Sequence, residues 1–309
     1  MKVQSMSKSF WSRVTPNDHW RQHSLGNLSW ISSLVGIPFY LLFVLSCSPH
    51  ILAEESATSN PLPWKLVWSD EFNYTGKPDP TRWNYEVGFI RNNEPQCYTS
   101  RLKNAHVQNG YLVLEARRES FLNFARSRKQ KPRADYTSAS LCTLGKQSWT
   151  YGRFEIRAKL PTAIPAWSAF WMVGENRQLV RWPACGEFDI MEHWGKRPNE
   201  NCASINYLEN GKKGGVQKGI RFSSPDDFHV YAMEWSPKQI DFFIDGEKYQ
   251  SVPMNTIHDD GGQTFHLPFY IILNLALDPY ATASLKNTSF PIRFIVDYVR
   301  VYQHSPSGY

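Results

Sequence analysis

The sequence predicts an all-β fold, either a sandwich or a barrel, for most of its 309 residues. Short segments with period-two alternation recur along the chain, as in residues 153–160 (RFEIRAKL) and 292–302 (IRFIVDYVRVY). Turn residues separate neighbouring segments, with Asn109 and Gly110 between two of them and Asp245 and Gly246 after another. No long amphipathic helix follows the N-terminal leader. These observations favour many short strands around one core.

Residues 1–53 are predicted to be an export leader. Basic residues precede a twelve-residue apolar run at 34–45, which is short for a membrane span and suits a signal peptide. The stretch VLSC predicts a lipoprotein in which Cys47 is lipidated and attaches the protein to the outer membrane or cell surface. Residues 51–53 (ILA) offer ordinary cleavage to a secreted or periplasmic protein instead, and a short signal anchor is the third alternative.

The remaining chain divides into a linker and one domain. Residues 54–64 are small, polar and proline-containing, which is typical of a linker. Residues 65–309 hold the predicted strands, and residues 268–277 are apolar on both faces, as a central sandwich strand would be. Residues 116–135 are basic and polar and favour a solvated loop, with contact to an anionic polysaccharide as the alternative.

Charge and composition narrow the classes of function. The net charge is +6, and the leader contributes +3 of it, which leaves 30 basic and 27 acidic residues. So small an excess gives no electrostatic footprint for nucleic acid. The 12 tryptophans indicate either a large β-rich core or a carbohydrate cleft, in which sugar rings stack on indoles. The remaining four cysteines allow disulfides or buried thiols: Cys97, Cys142, Cys185 and Cys202.

The stretch 186–193 (GEFDIMEH) carries the strongest chemical signal. On a regular strand Glu187 and Asp189 would share a face, and Glu192 would point into the core at high cost. A β-bulge near Ile190 and Met191 would return Glu192 to the side of the other two carboxylates. Three clustered carboxylates cannot all ionise freely, so at least one pKa rises.

A glycosidase requires such a difference in pKa between two neighbouring carboxyl groups. One carboxylate attacks the anomeric carbon, while a protonated partner donates to the leaving oxygen. The order along the chain predicts Glu187 as nucleophile, Glu192 as acid/base and Asp189 as the group that orients and tunes them. With a single strand supplying both glutamates, we expect a carboxyl spacing of roughly 5–6 Å and retention of configuration. A solvated acidic strand or a calcium site is the alternative for this motif alone.

In its neighbourhood, the acidic motif resembles glycoside hydrolase family 16, close to the laminarinases. The resemblance covers residues 64–303, and its segments are, in order, 68–72 (WSDEF), 92–99 (NNEPQCYT), 149–161 (WTYGRFEIRAKLP), 167–172 (WSAFWM), 228–235 (FHVYAMEW) and 296–302 (VDYVRVY). It implies a jelly-roll β-sandwich with an open substrate cleft on its concave face. It also implies retaining endo-cleavage of β-linked glucans or galactans, with no cofactor for catalysis.

The resemblance also implies individual site residues. Its positions predict substrate contacts for four side chains: Asn92, Trp167, Trp171 and His193. Core packing is the alternative for the two tryptophans, and a structural role is the alternative for the histidine. Many members hold a structural Ca²⁺, for which the ligands here would be the Asp297 side chain and backbone oxygens near Glu71 and Gly110.

Four departures from the laminarinase pattern leave the substrate open. Ser140 stands where an arginine that contacts sugar is usual, and Cys142 replaces a common threonine. Cys97 replaces a common tyrosine or tryptophan, and a common Gly-Gly is missing after Ala276. We expect the acid/base chemistry to survive all of these changes.

The sequence therefore predicts a monomeric endo-1,3-β-glucanase or a relative that acts on mixed-linkage glucan. A galactan hydrolase of the agarase or carrageenase type is one rival hypothesis. A non-catalytic β-glucan-binding module is another, and retention of Glu187 and Glu192 argues against it. An extracellular structural protein is the remote fourth alternative.

Overall fold

The computed structural model describes residues 63–124 and 131–304. The predicted leader, Cys47 with both cleavage alternatives, and residues 54–62 of the linker lie outside the described residues. Within the described ranges, no helix is long and apolar enough to cross a membrane. The domain begins with a strand at Lys65, where the sequence places the end of the linker.

Strands are the main regular structure of the described chain, with one α-helical turn, α1 (Thr282–Leu285), and three 3-10 turns at Glu175–Gln178, Met254–Thr256 and Thr264–His266. The strands are β1 (Lys65–Asp70), β2 (Asn84–Glu86), β3 (Gln96–Tyr98), β4 (Ala105–Gln108), β5 (Tyr111–Leu122), β6 (Arg133–Ser138), β7 (Ser140–Cys142), β8 (Gly152–Lys159), β9 (Ala166–Gly174), β10 (Glu187–Trp194), β11 (Glu200–Glu209), β12 (Lys212–Arg221), β13 (Phe228–Trp235), β14 (Gln239–Ile244), β15 (Glu247–Pro253), β16 (Phe269–Leu277) and β17 (Ile292–Gln303).

Two sheets form the domain, so the sandwich alternative is confirmed over the barrel. One sheet has the order β15-β14-β13-β8-β17-β5-β6-β3, with β1 beside β17 and β4 beside β5. The other has the order β12-β11-β10-β9-β16-β7-β2 and contains the acidic strand β10 near its middle. We call this second layer the catalytic sheet.

The main core lies between the two sheets. It contains Trp83, Trp149 and Trp235, which are 2%, 4% and 0% exposed. Phe188 of β10 packs there against Trp235, with ring centroids 5.1 Å apart. Other tryptophans lie on the outer face of the catalytic sheet, as described below. The high tryptophan content therefore supplies a core and a second, partly solvated surface as well.

Several local predictions are confirmed. Asn109 and Gly110 have positive φ angles of 53° and 80° in the turn between β4 and β5, as a two-residue hairpin of this type requires. Asp245 and Gly246 do the same between β14 and β15. The predicted central strand at 268–277 is β16, all nine residues of which are buried.

The prediction of a solvated loop across residues 116–135 is partly wrong. Residues up to Leu122 continue β5, and Arg133 begins β6. Arg117 pairs with the buried Glu115 carboxylate, and Arg118 donates to the backbone carbonyl of Leu285. These partners let basic residues extend a strand that composition alone assigns to a loop.

All four cysteines of the domain are buried free thiols. They are Cys97, Cys142, Cys185 and Cys202. Of the two alternatives from the sequence, disulfides or buried thiols, the structure shows buried thiols. Packing between the two sheets and hydrogen bonding between strands within each sheet hold the described fold, without disulfides among these four cysteines.

Candidate active site

A bulge in β10 places the three carboxylates on one face of the catalytic sheet. Against β9, Asp189 pairs with Trp171 and Met191 pairs with Phe170, so Ile190 is the unpaired extra residue. Against β11, the register also shifts between Asp189 and Glu192. Ile190 and Met191 are both in the main core. The predicted bulge is confirmed, and it occurs where the sequence requires it.

Rows of side chains extend from each carboxylate across the neighbouring strands. On one side, Glu187 pairs with Asn206, and Asp189 pairs with Ser204. On the other side, Glu192 pairs with Ala169 of β9, which pairs with Asn274 of β16. The acidic strand thus divides this face into two parts. We call β9, β16, β7 and β2, with the chain at 91–98, the paired flank, and β11 with β12 the open flank.

Each carboxylate has its own hydrogen-bond donors. Asn206 Nδ2 donates to Glu187 Oε1 at 3.0 Å and to Asp189 Oδ2 at 2.9 Å. The Ser204 hydroxyl also donates to Asp189. Trp167 Nε1 donates to Glu192 Oε1 at 2.9 Å. Asp189 therefore has the most donors, and it shares one of them with the predicted nucleophile.

Burial raises the pKa of all three carboxyl groups, and their different neighbours make the three pKa values unequal. Ser204 and Asn206 hydrogen bonds partly offset the effect of burial on the pKa of Asp189. The pKa of Glu187 is raised by burial and by the charge of Asp189. The pKa of Glu192 is raised well above its ordinary value by burial and by the charges of both Asp189 and Glu187. Asp189 therefore ionises most readily, and Glu192 holds its proton most strongly.

Two stacked indoles lie beside Glu192. Trp167 and Trp194 pair across β9 and β10, with ring centroids 5.6 Å apart and an interplanar angle of 22°. Both rings are half-buried, so each keeps an accessible surface. Because Trp167 also donates to Glu192, it connects an aromatic platform directly to the predicted acid/base. This position favours a cleft role for Trp167 over core packing.

Trp171 forms the floor of the paired flank. Its side chain is 7% exposed, and its Nε1 donates to Asn274 Oδ1 at 2.8 Å. The Arg91 guanidinium lies 4.9 Å from the Trp171 ring centroid. Asn274 Nδ2 in turn donates to the Tyr98 hydroxyl at 3.1 Å. Little of the Trp171 ring remains free, because the arginine covers it.

An ion pair anchors Arg91 at the end of this flank. Its Nη2 lies 2.5 Å from Glu86 Oε2 and 3.0 Å from Ser140 Oγ. Burial alone would raise the pKa of Glu86, but the Arg91 charge and hydrogen bonds lower it below its ordinary value. Laminarinases usually carry an arginine at the position of Ser140. In this protein Arg91 brings its guanidinium to Ser140 from a different part of the chain.

Asn92 lies at the surface of the same flank. It is exposed, has a positive φ of 52°, and its Nδ2 donates to Glu94 Oε1 at 3.1 Å. Glu94 also accepts hydrogen bonds from Gln96 and Tyr98. The exposed amide leaves the predicted sugar contact of Asn92 open to experiment.

The position of His193 does not support its predicted contact with sugar. The side chain is 0% exposed and lies on the face of β10 opposite to Glu192 and Trp194. Its Nδ1 lies 3.0 Å from the Glu200 carbonyl oxygen, and its ring contacts Phe222. Burial lowers the pKa of His193, which keeps the ring neutral. The structural alternative explains this residue.

The proposed calcium ligands come together at β17. Pairing of Val299 with Asp70 and of Val296 with Leu112 brings Asp297 close in register to Glu71 and Gly110. However, Asp297 Oδ2 lies 2.5 Å from Arg157 Nη1, and Glu71 pairs with Arg300. A cation at Asp297 would have to displace Arg157. The calcium site stays a prediction with this added requirement.

Sequence reasoning missed three residues of the site. Arg91 precedes the 92–99 segment, and its contacts Ser140 and Trp171 come from distant strands. Trp182 comes from the loop before β10, and it lowers the pKa of Glu187 against the larger effect of burial. Lys213 lies 5.3 Å from the Trp182 ring centroid. The turn residues at 210–211 were the one available signal for the β11–β12 hairpin that carries Lys213.

Comparisons with known proteins agree with this geometry. The model of the family Glycosyl hydrolases family 16 matches residues 93–300. A β-glucanase of Rhodothermus marinus is 39% identical over 279 residues, which cover 86% of this chain and 93% of the relative.

Two solved structures show the same fold. The Rhodothermus marinus laminarinase superposes with a TM-score of 0.67 at 40% identity, covering 79% of this chain and 99% of that one. A structure of the endo-acting O-glycanases that human gut bacteria express to initiate mucin breakdown has a TM-score of 0.73 at 33% identity, covering 79% and 93%. The predicted jelly-roll sandwich is confirmed. The chain belongs to glycoside hydrolase family 16, and it is a glycoside hydrolase.

Proposed function

We propose that this enzyme is a retaining endo-hydrolase of β-1,3-glucan that also accepts mixed-linkage glucan. The observation that carries the proposal is the three-carboxylate face made by the bulge at Ile190. The substrate class rests on the glucan-directed relatives, since the β-glucanase and the laminarinase described above share 39% and 40% of their aligned residues with this chain.

In the first step, Glu187 attacks the anomeric carbon while Glu192 gives its proton to the leaving glycosidic oxygen. The C–O bond of the substrate breaks, and a glycosyl ester to Glu187 forms. In the second step, Glu192 takes a proton from water, which attacks the ester and releases the sugar. Because the configuration inverts twice, the product keeps the β configuration.

The surroundings of each carboxylate suit its role. Glu192 has two anionic neighbours and the strongly raised pKa that a general acid needs at neutral pH. Glu187 receives a hydrogen bond from Asn206, which favours its ionised form. Asp189 receives the Ser204 and Asn206 donors and so holds negative charge between the other two. The charge of Asp189 helps Glu192 to keep its proton.

The proposal extends to the state of the mature protein. We infer that it is exported and acts as a monomer, with lipidation of Cys47 attaching it to a membrane. Radiolabelled palmitate should enter the wild-type protein in a bacterial host, whereas Cys47→Ser should not be labelled. Release of wild-type protein that starts at Glu54 would support ordinary cleavage and overturn the lipoprotein proposal.

The galactan and mucin alternatives are decided by product analysis. Purified protein should be incubated with laminarin, lichenan, agarose, carrageenan, keratan sulfate and mucin O-glycans. We expect oligosaccharides from laminarin and lichenan, with proton NMR showing the β-anomer first. Products from agarose, carrageenan or mucin alone would overturn the glucan assignment. Early appearance of the α-anomer would overturn the retaining mechanism.

A further inference from the structure

The open flank carries a basic residue beside the nucleophile. Asn210 and Gly211, with φ angles of 51° and 69°, turn the chain from β11 into β12. Pairing of Asn206 with Gly215 aligns β12 with the carboxylate rows. Because strand side chains alternate, Lys213 lies on the same face as Gly215 and hence as Asn206. A cavity of about 210 Å³ is lined by Asn206, Lys213, Gly215 and their neighbours on β12.

Lys213 lies near the nucleophile on the open flank. Its Nζ lies 5.3 Å from the centroid of the Trp182 ring, within the range of a cation–π contact, and Trp182 belongs to the loop that leads into Glu187. Asn206, which lines the same cavity as Lys213, donates to Glu187 Oε1 at 3.0 Å. Lys213 and the donor to the nucleophile thus share one cavity.

The charge of Lys213 is felt by the whole carboxylate cluster. It lowers the pKa of Glu187, Asp189 and Glu192, opposing the larger effect of burial in each case. Arg177 acts on Glu187 as well but does not act on all three. Lys213 is therefore positioned to set the charge of the site as a unit.

We propose that Lys213 is a positioning residue for the nucleophile. Its ammonium group, placed over the Trp182 ring in the cavity that it shares with Asn206, brings positive charge to the side of the sheet on which Glu187 attacks. This inference rests on the proposed function, since it takes Glu187 to be the nucleophile.

Other groups around Glu187 do not duplicate this role. Asp189 on its own strand opposes ionisation of Glu187. The Cys185 thiol in the preceding loop is kept neutral, because burial raises its pKa to about 11. Asn206 on β11 is a neutral donor, and the Trp182 indole carries no charge. Arg177, in the 3-10 turn at 175–178, is the second cation and is left in place as an internal reference.

Bound substrate strengthens the effect of Lys213. The side chain is exposed in the free protein, so water screens its charge. A polysaccharide in the cleft displaces that water and lowers the local dielectric constant, which increases the attraction between the ammonium and the carboxylate. We therefore expect the influence of Lys213 to be larger in the enzyme–substrate complex than in the free enzyme.

The pH dependence of Lys213→Met on laminarin tests the inference. Loss of a positive charge disfavours the Glu187 anion, so its pKa rises and the acidic limb of the kcat/KM profile moves to higher pH. We expect a shift of about half a pH unit, which is about a threefold loss on that limb, and a larger shift in kcat. The plateau should change by less than about twofold. Lys213→Arg keeps the charge and should restore most of the profile.

Lys212→Met is the matched control, because it removes the same charge from the neighbouring position on the opposite face of β12. It should reproduce the wild-type profile. An unshifted acidic limb in Lys213→Met would overturn the inference, as would an equal shift in Lys212→Met. If Glu187→Gln also kept its activity, the proposed function itself would fail. If only Glu187→Gln were inactive, the failure would be confined to Lys213.

Discussion

The two flanks of the acidic strand are built on opposite principles. On the paired flank, side chains satisfy one another: Arg91 pairs with Glu86 and Ser140, while Trp171 donates to Asn274. On the open flank, glycines alternate with polar side chains on an edge strand, and Lys213 faces an indole rather than a carboxylate. The side chains of the paired flank are fixed by one another, whereas the open flank presents an exposed ammonium group that can respond to what is bound. The difference suggests that recognition and tuning of the nucleophile are separated across one strand.

If the two flanks only recognise substrate and tune the nucleophile, the catalytic groups themselves must lie on β10, the strand between the flanks. Glu187→Gln should lower turnover of laminarin by at least about 1,000-fold, because an amide of the same shape cannot attack. Binding of laminarin, measured by affinity electrophoresis, should persist. Glu247→Gln on the other sheet is a matched control and should retain full activity. Residual turnover in Glu187→Gln above a few per cent of wild type would contradict the assignment.

The acid/base can be separated from the nucleophile by choice of leaving group. Glu192→Ala should lose most activity on laminarin but much less on an aryl glycoside with an acidic leaving group, which departs without a proton. Azide should restore turnover of the aryl glycoside by attacking the glycosyl-enzyme. Equal losses on both substrates would show that Glu192 is not the general acid.

Breaking the paired flank should cost folding stability. Arg91→Met leaves the largely buried Glu86 carboxylate without its cation, and we expect a loss of about 3 kcal/mol in the free energy of unfolding. Urea denaturation measures this. In the double variant with Glu86→Gln, much of the stability should return, because the uncompensated charge is gone. Equal stability of the single and double variants would show that the ion pair is not the anchor.

The acidic strand should itself be destabilising at neutral pH. The pKa of Glu187 is raised above its ordinary value of 4.5, so the folded state holds the proton more tightly than the unfolded chain. Stability is therefore lost as pH rises from about 4.5 through the raised value. Glu187→Gln should melt roughly 3 °C higher than wild type at pH 8, and the difference should vanish near pH 4. A difference independent of pH would contradict this reasoning.

The smallest effect is expected on the open flank. A Cβ added at Gly219 would lie 3.2 Å from the Glu200 Oε1 atom, a flexible group that can move aside. Gly219→Ala should therefore fold normally but add a methyl group to the same face of β12 as Lys213 and Gly215, raising KM for laminarin by about two- to threefold with little change in kcat. Gly261→Ala, in an open loop, serves as control. An unchanged KM would show that substrate does not lie along β12.

Sequence reasoning succeeded where a local rule was enough. The bulge followed from the conflict between alternation and three acidic residues, and the hairpins followed from their turn residues. It failed where partners are distant in sequence: Arg91 contacts Ser140 and Trp171, and Trp182 contacts Lys213. The strand β12 was missed because residues 212–221 are mostly polar and glycine, without apolar alternation.

His193 teaches a different lesson. Once the bulge is accepted, Glu192 and Trp194 share the cleft face, so alternation alone turns His193 towards the interior. The resemblance to laminarinases suggested a sugar contact, and the local geometry argued against it. Local geometry was the better guide at this position.

The bulge at Ile190 also has a consequence for how such a site can change over generations. Loss of the single Ile190 codon would leave Glu187, Asp189 and Glu192 at alternate positions of an unbroken strand. Pairing with both β9 and β11 would then run without a shift, and the same three carboxylates would still share a face. Deletion of this one residue is therefore close to silent for the chemistry. The catalytic motif can differ in length by one residue between descendants while the arrangement it encodes is inherited intact.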